Sequence, residues 1–389
     1  MSNHKVINAR SPYYIKSSAT GAASVRFQIK IYSGDQTPLP SGVQYTLIKN
    51  TTTPATGNPY AVIEISELIR DYIYTDYYTE AVDAVWVYVT TSIFDGPNGT
   101  GSLIGTPGSI YYLALDGYGY FEEGVNPRES IDPDDESYTP MLLQDNLTIY
   151  FVPGEQITLP FFSEAEPLID FTFSGGSGVE WQALDEYWQV YDGMWNSSLD
   201  DVQIVDSIDS LDKIQYVGIF PTTGIATGDT AVITSTTGNA QTQTITFKSM
   251  CAGKYPDVKI LFYNKYGAIQ ELWAHKKSVK SLNTTSETYN RNIMNYDSLD
   301  YSVFKHATSR FDVNGRESIV VNTDFMDESI NDPVKQLMLS DQVWLDIGND
   351  TFPVVVKTSS LTEKTGVNDK MVQYTFEFEY AYDKIQNVR

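Results

Sequence analysis

The chain has 389 residues, enough for about two to four domains of ~100–200 residues, and a core of that size needs no disulfide or metal staple. The single Cys251 excludes an internal disulfide. No run approaches the roughly 18 apolar residues of a membrane span, so the expectation is synthesis in a reducing cytoplasm without membrane insertion. A formal charge of −24 argues against direct nucleic-acid binding, which needs a basic face to release counterions.

The 28 tyrosines, with Thr, Val and Ile throughout and Gly, Pro and Asn spread along the length, predict a mainly β fold. The charge is polarised. Between Arg128 and Lys213 there is no Lys or Arg, whereas from Lys248 onward the two signs nearly balance. An acidic middle and a more basic end can stack head to tail between copies; they can also simply solvate a surface.

Residues 1–125 read as a first β domain. Val25, Phe27, Ile29 and Ile31 alternate as in a half-buried strand, and AVWVYVTTSIF (84–94) and SIYYLALDGYGYF (109–121) are two further strands. Between them Ile65, Leu68, Ile69 and Ile73 fall at helical spacing. Residues 126–141, within EEGVNPRESIDPDDESYTPM, have prolines, acids and no apolar period, and read as an acidic linker.

Residues 142–250 predict an immunoglobulin-like antiparallel β-sandwich. LTIYFVPGEQITLPFF reads as two strands about a V-P-G-E turn, and GDTAVITSTTGNAQTQTITF as two more about T-T-G-N-A. Residues 251–389 predict an antiparallel sheet with one short helix. KILFY leads into a tight turn, Asn264-Lys265-Tyr266-Gly267, with Gly267 suited to a left-handed position. The run from Ala268 is ambiguous between helix and strand. RESIVVNTDF is a strand, MDESINDPVKQLMLSD a helix with Val334, Leu337 and Met338 on one face, and QVWLDIG, FPVVVKTSSL and MVQYTFEFEYAY three more strands.

Catalytic patterns are sparse. His4, His275 and His306 are far apart in sequence, and no P-loop, G-x-G-x-x-G, H-E-x-x-H or G-x-S-x-G is present. No cofactor is expected. Asp132, Asp134, Asp135 and Glu136 could offer oxygen ligands to calcium but lack EF-hand spacing. Trp181, Trp188 and Trp195, interleaved with Glu180, Asp185, Glu186 and Asp192, could stack on sugar rings beside carboxylates. Large aromatics also fill cores and interfaces.

The C-terminal third resembles a recurrent module of tail or baseplate structural proteins in bacteriophages and prophages of Bacteroidetes-type hosts. The resemblance is carried by FYNKYGAIQ, NTDFMDE and YTFEFEYAYD here, with RSPYYIK and LIRDYI near the N-terminus. The order of strand, helix and three strands is also similar to the tail-tube fold. The resemblance implies a strand after the Gly267 turn and a virion protein, not an enzyme. It implies a homo-oligomeric ring that meets other tail proteins, made in the host bacterial cytoplasm. Lys259, Phe262, Tyr263, Lys265, Tyr266, Trp273, Lys276 and Lys277 are then the candidate inter-subunit contact. Two alternatives stand beside this. These aromatics could be the domain's own core with lysines guarding its edge, or the chain could be an attachment protein that binds glycan through Trp181, Trp188 and Trp195.

Overall fold

The computed structural model describes residues 4–34, 37–74, 77, 84–124, 142–162, 169–174, 180–184, 201–204, 214–220, 225–235, 242–250, 254–348, 350–360, 362 and 371–385. It is mainly β, with several antiparallel sheets in β-sandwich domains and, among the described residues, two short α-helices. The chain forms two compact units. The first is Met1–Cys251 with Phe262–Glu271, and the second is Ala252–Leu261 with Leu272–Arg389.

The first unit opens with β1 (His4–Asn8), β2 (Tyr14–Ser18), β3 (Ser24–Tyr32), β4 (Tyr45–Asn50), β5 (Tyr60–Glu64), α1 (Ser66–Arg70), β6 (Ala84–Phe94) and β7 (Gly108–Leu115). Five of these strands make a sheet in the order β1-β7-β6-β3-β4, and β2 pairs with β5. The period-two pattern puts Val25, Phe27, Ile29 and Ile31 into one core with Val85, Val87 and Val89, and Ile69 of α1 closes it together with Ile65 just before the helix. The predicted third strand stops at Leu115 instead of running to Phe121. Asp116 turns aside to meet Arg10 through two bonds of 3.0 and 2.7 Å, and the amide of Tyr118 donates to the carbonyl of Lys265 rather than to a strand.

Next come β8 (Thr148–Phe151), β9 (Ile157–Phe162), β10 (Ile169–Ser174), β11 (Glu180–Leu184), β12 (Asp201–Ile204), β13 (Ile214–Phe220), β14 (Thr230–Ser235) and β15 (Thr242–Ser249). They divide into a sheet β12-β10-β14-β15-β8 and a sheet β11-β13-β9. The T-T-G-N-A pair is antiparallel, with Thr234 opposite Thr242. The V-P-G-E pair is not a hairpin: β8 runs parallel to β15, whereas β9 is antiparallel to β13. Two strands that each bury alternate side chains, Ile149 and Phe151 in one and Ile157, Leu159 and Phe161 in the other, are used here in two different sheets.

The remaining strands are β16 (Val258–Tyr263), β17 (Ile269–Ala274), β18 (Val279–Asn290), β19 (Met294–Asn295), β20 (Asp300–Tyr301), β21 (Thr308–Asn322), β22 (Met326–Asp327), β23 (Val343–Ile347), β24 (Asp350–Val356), β25 (Met371–Val372) and β26 (Thr375–Tyr380). Helix α2 (Asn331–Leu339) follows β22. The main sheet has the order β17-β16-β23-β24-β26-β21-β18. Phe376, Phe378 and Tyr380 of β26 are buried with Ile319 and Val321 of β21, while α2 buries Val334 and Leu337. The run from Ala268 is thus strand, as the resemblance implied. The start of the last predicted strand separates: Met371–Val372 pairs with β22 in a small sheet of its own.

Candidate assembly surface

The 259–278 stretch folds as the β16–β17 hairpin, whose tip belongs to the first unit and whose base to the second. At the tip, Gly267 takes φ +78°, and the amide of Asn264 donates to the carbonyl of Ala268 at 2.9 Å. A Cβ on Gly267 would lie 2.6 Å from the backbone carbon of Asp116, so glycine is needed for space as well as for φ. The Asn264 side chain organises the turn. Its Nδ2 donates to the carbonyl of Leu143 (2.7 Å) and to Gln270 Oε1 (3.2 Å). Its Oδ1 accepts from the amides of Tyr266 (2.9 Å) and Ala268 (3.2 Å).

Lys265 finds its acidic partners inside its own chain. Its Nζ lies 3.2 Å from both Glu123 and Asp145, beside the Tyr120 and Tyr266 rings, and the Tyr266 hydroxyl donates to Asp145 at 2.6 Å. In the second unit Lys259 sits 4.8 Å over the Trp273 ring. Burial pushes the Asp346 carboxyl up, against the opposing charge of Lys259. Lys276 pairs with Asp324 at 2.9 Å, and Lys277 is exposed, its carbonyl accepting from Asn322.

Phe262, Tyr263 and Trp273 are therefore interior residues of the chain, 0%, 2% and 4% exposed. Of the eight residues proposed from the sequence as an inter-subunit contact, these three aromatics take the alternative placement, that of the protein's own core.

A larger solvent-facing surface lies in a stretch that has no apolar period. β18 and β21 pair from Val279–Val320 to Asn290–Thr308, with a register shift between Thr285 and Glu287. Between Val279 and Asp312 every residue is exposed except Ile293 and Ser309, so neither face of this ribbon is covered along its outer length. Beyond Asn290 the chain makes a second small hairpin, β19–β20, in which Asn292 accepts from the Met294 amide and Asn295 from the Asp297 amide. That tip carries Met294, Tyr296, Leu299, Tyr301, Val303 and Phe304, from 47% exposed at Met294 to 90% at Phe304. β18 is also an outer strand of its sheet. The one available sequence signal was the β-branched and polar run SLNTTSETYN, which suits a strand with water on both sides.

The enzyme-like features have little described geometry. Trp181 and Glu180 lie in β11, while Trp188, Trp195, Asp185, Glu186, Asp192 and the acidic loop Asp132, Asp134, Asp135 and Glu136 lie outside the described residues. His306 is exposed. His275 is buried, with Nε2 in hydrogen-bond contact with Asp324 at 3.0 Å, whereas Nδ1 lies 3.4 Å from Asp257 Oδ1 without a hydrogen bond. Among the described residues there is no group of three or more His, Cys, Asp or Glu placed to hold a metal ion, and no helix is long and apolar enough to cross a membrane.

No family model and no curated protein matches the chain. Among solved structures it is similar to dimeric latent PorU from Porphyromonas gingivalis, at 11% identity and TM-score 0.20, over 82% of this chain and 30% of that one. It is also similar to the adhesin InvE of Yersinia pseudotuberculosis, at 14% identity and TM-score 0.19, over 62% and 56% of the two chains. The calcium-binding domain CBD12 of CALX1.1 is matched at 8% identity and TM-score 0.17, over 61% and 78%. The chain thus spans less than a third of PorU, and likenesses this weak carry no inference about function.

Proposed function

We propose that this chain is a non-enzymatic structural component of a phage virion, a tail or baseplate protein, which joins copies of itself into a symmetric ring through its C-terminal module. One observation carries the reading: β18 is a 12-residue outer strand with every side chain exposed. Its outer ten residues, SLNTTSETYN, contain no Lys, Arg or Pro. Soluble proteins protect such edges with charged residues, proline, bulges or a covering segment; along these ten residues Glu287 and the register shift beside it are the protection present, which leaves most of the edge open as a template for another chain. A heterologous contact repeated about a rotation axis closes a ring, the arrangement that the tail-module resemblance implies.

The purified 389-residue chain, weighed by light scattering and imaged in negative stain, tests this. The expected result is a closed ring at an integral multiple of 43.6 kDa, reduced to smaller species by Thr284→Lys with Thr288→Lys. A monodisperse 43.6 kDa particle at every concentration refutes it.

A further inference from the structure

We propose that the ribbon tip, residues 292–304, is a docking knob that a second copy of this chain covers. The inference deepens the ring reading and rests on it for the identity of the partner class. Three observations point there.

The first is area. Met294, Tyr296, Leu299, Tyr301, Val303 and Phe304 sit within one small hairpin and are about half to nine-tenths exposed. At roughly 150–250 Å² for a large side chain, they present on the order of 800 Å² of accessible surface. That is about what one partner contributes to a stable interface. A knob of this size left in water is a liability unless something covers it.

The second is charge. From Val279 to Asp312 the ribbon carries Lys280, Arg291, Lys305 and Arg310 against Glu287, Asp297, Asp300 and Asp312, and so is balanced, in a chain of net charge −24. Copies of so acidic a protein repel one another over most of their surface. A charge-balanced ribbon with an apolar tip is where two of them can approach without that cost. A cationic partner would instead be drawn to the acidic surfaces elsewhere.

The third is continuity. The tip extends the same β18–β21 pair that offers the bare edge, and Arg291 continues the ladder by donating its amide to the Ala307 carbonyl at 2.7 Å. Edge and knob thus form one surface, in which the strand supplies backbone pairing and the tip supplies apolar anchors.

The test uses the purified 389-residue chain with photoactivatable benzoyl-phenylalanine in place of Phe304, alongside a triple variant, Tyr296→Ser with Leu299→Ser and Phe304→Ser. Irradiation is expected to give an adduct at twice 43.6 kDa. The triple variant is expected to raise the dissociation constant by at least about 100-fold. Its thermal unfolding below the association range stays unchanged, because the three side chains face solvent. An oligomer of unaltered mass in the triple variant, with no dimer adduct, overturns the knob and leaves the ring standing. Dimer adducts through position 304 without ring closure uphold the knob and sink the ring. A wild-type chain that stays monomeric and gives no adduct overturns both.

Discussion

Asn264→Ala removes four hydrogen bonds at one point in the first unit, and the cost can be worked out from the partners it leaves behind. The Leu143 carbonyl, the Gln270 side-chain oxygen and the Ala268 amide belong to residues that are 1%, 4% and 0% exposed, so water does not readily replace the lost amide. The Tyr266 amide belongs to a half-buried residue and can be rehydrated. Each buried group left without a partner costs about 1–3 kcal/mol, and taking the lower half of that range the three together cost about 3–6 kcal/mol. For a domain of some 150–250 residues, 1 kcal/mol lowers the melting temperature by roughly 2–4 °C, so the first unit is expected to melt roughly 6–24 °C lower. Differential scanning calorimetry reads this directly. Asn264→Asp is the informative companion: its carboxylate keeps both accepted amides but loses both donated bonds and faces the Leu143 carbonyl, so it should not recover stability. A fall of under 2 °C in Asn264→Ala would show that the turn is held by its neighbours and not by this side chain.

Two further outcomes follow from the same geometry. Gly267→Ala forces a Cβ to 2.6 Å from the Asp116 backbone at a positive φ, and is expected to cost at least about 3 kcal/mol, read as lost soluble yield or a lower melting temperature; wild-type stability would refute the close approach. Burial pushes the Asp324 carboxyl up, but hydrogen bonds from Lys276 and the Phe325 amide, with the charges of Lys276 and His275, outweigh it and leave the group below its ordinary value. A carboxyl lowered on folding stabilises the fold fully above the unfolded value of about 3.9, and that stability is lost as pH falls through the folded value. Lys276→Met should therefore flatten the acid limb of the stability curve below about pH 4, measured by denaturant titration across pH; an unaltered acid limb would refute the coupling.

Local chemistry written in the sequence was enough for much of the architecture. The alternation in Ser24–Tyr32 and Ala84–Phe94, the Asn-Lys-Tyr-Gly turn and the Pro-bearing helix at Asn331–Leu339 each follow from short-range rules of pleat, left-handed glycine and amphipathic spacing. Those rules act between residues a few positions apart, so they hold before any tertiary contact forms.

Tertiary structure alone decided partnership. Whether Phe262, Tyr263 and Trp273 turn inward, whether β8 and β9 share a sheet, and whether Lys265 meets a neighbour or its own Glu123 and Asp145 depend on segments roughly fifty or more residues away in sequence. The ribbon from Val279 to Asp312 escaped sequence reading for the converse reason. A strand pair wet on both faces needs no apolar alternation, so its pattern carries no period, and only the assembled sheet shows that an outer edge and an apolar tip are left in solvent.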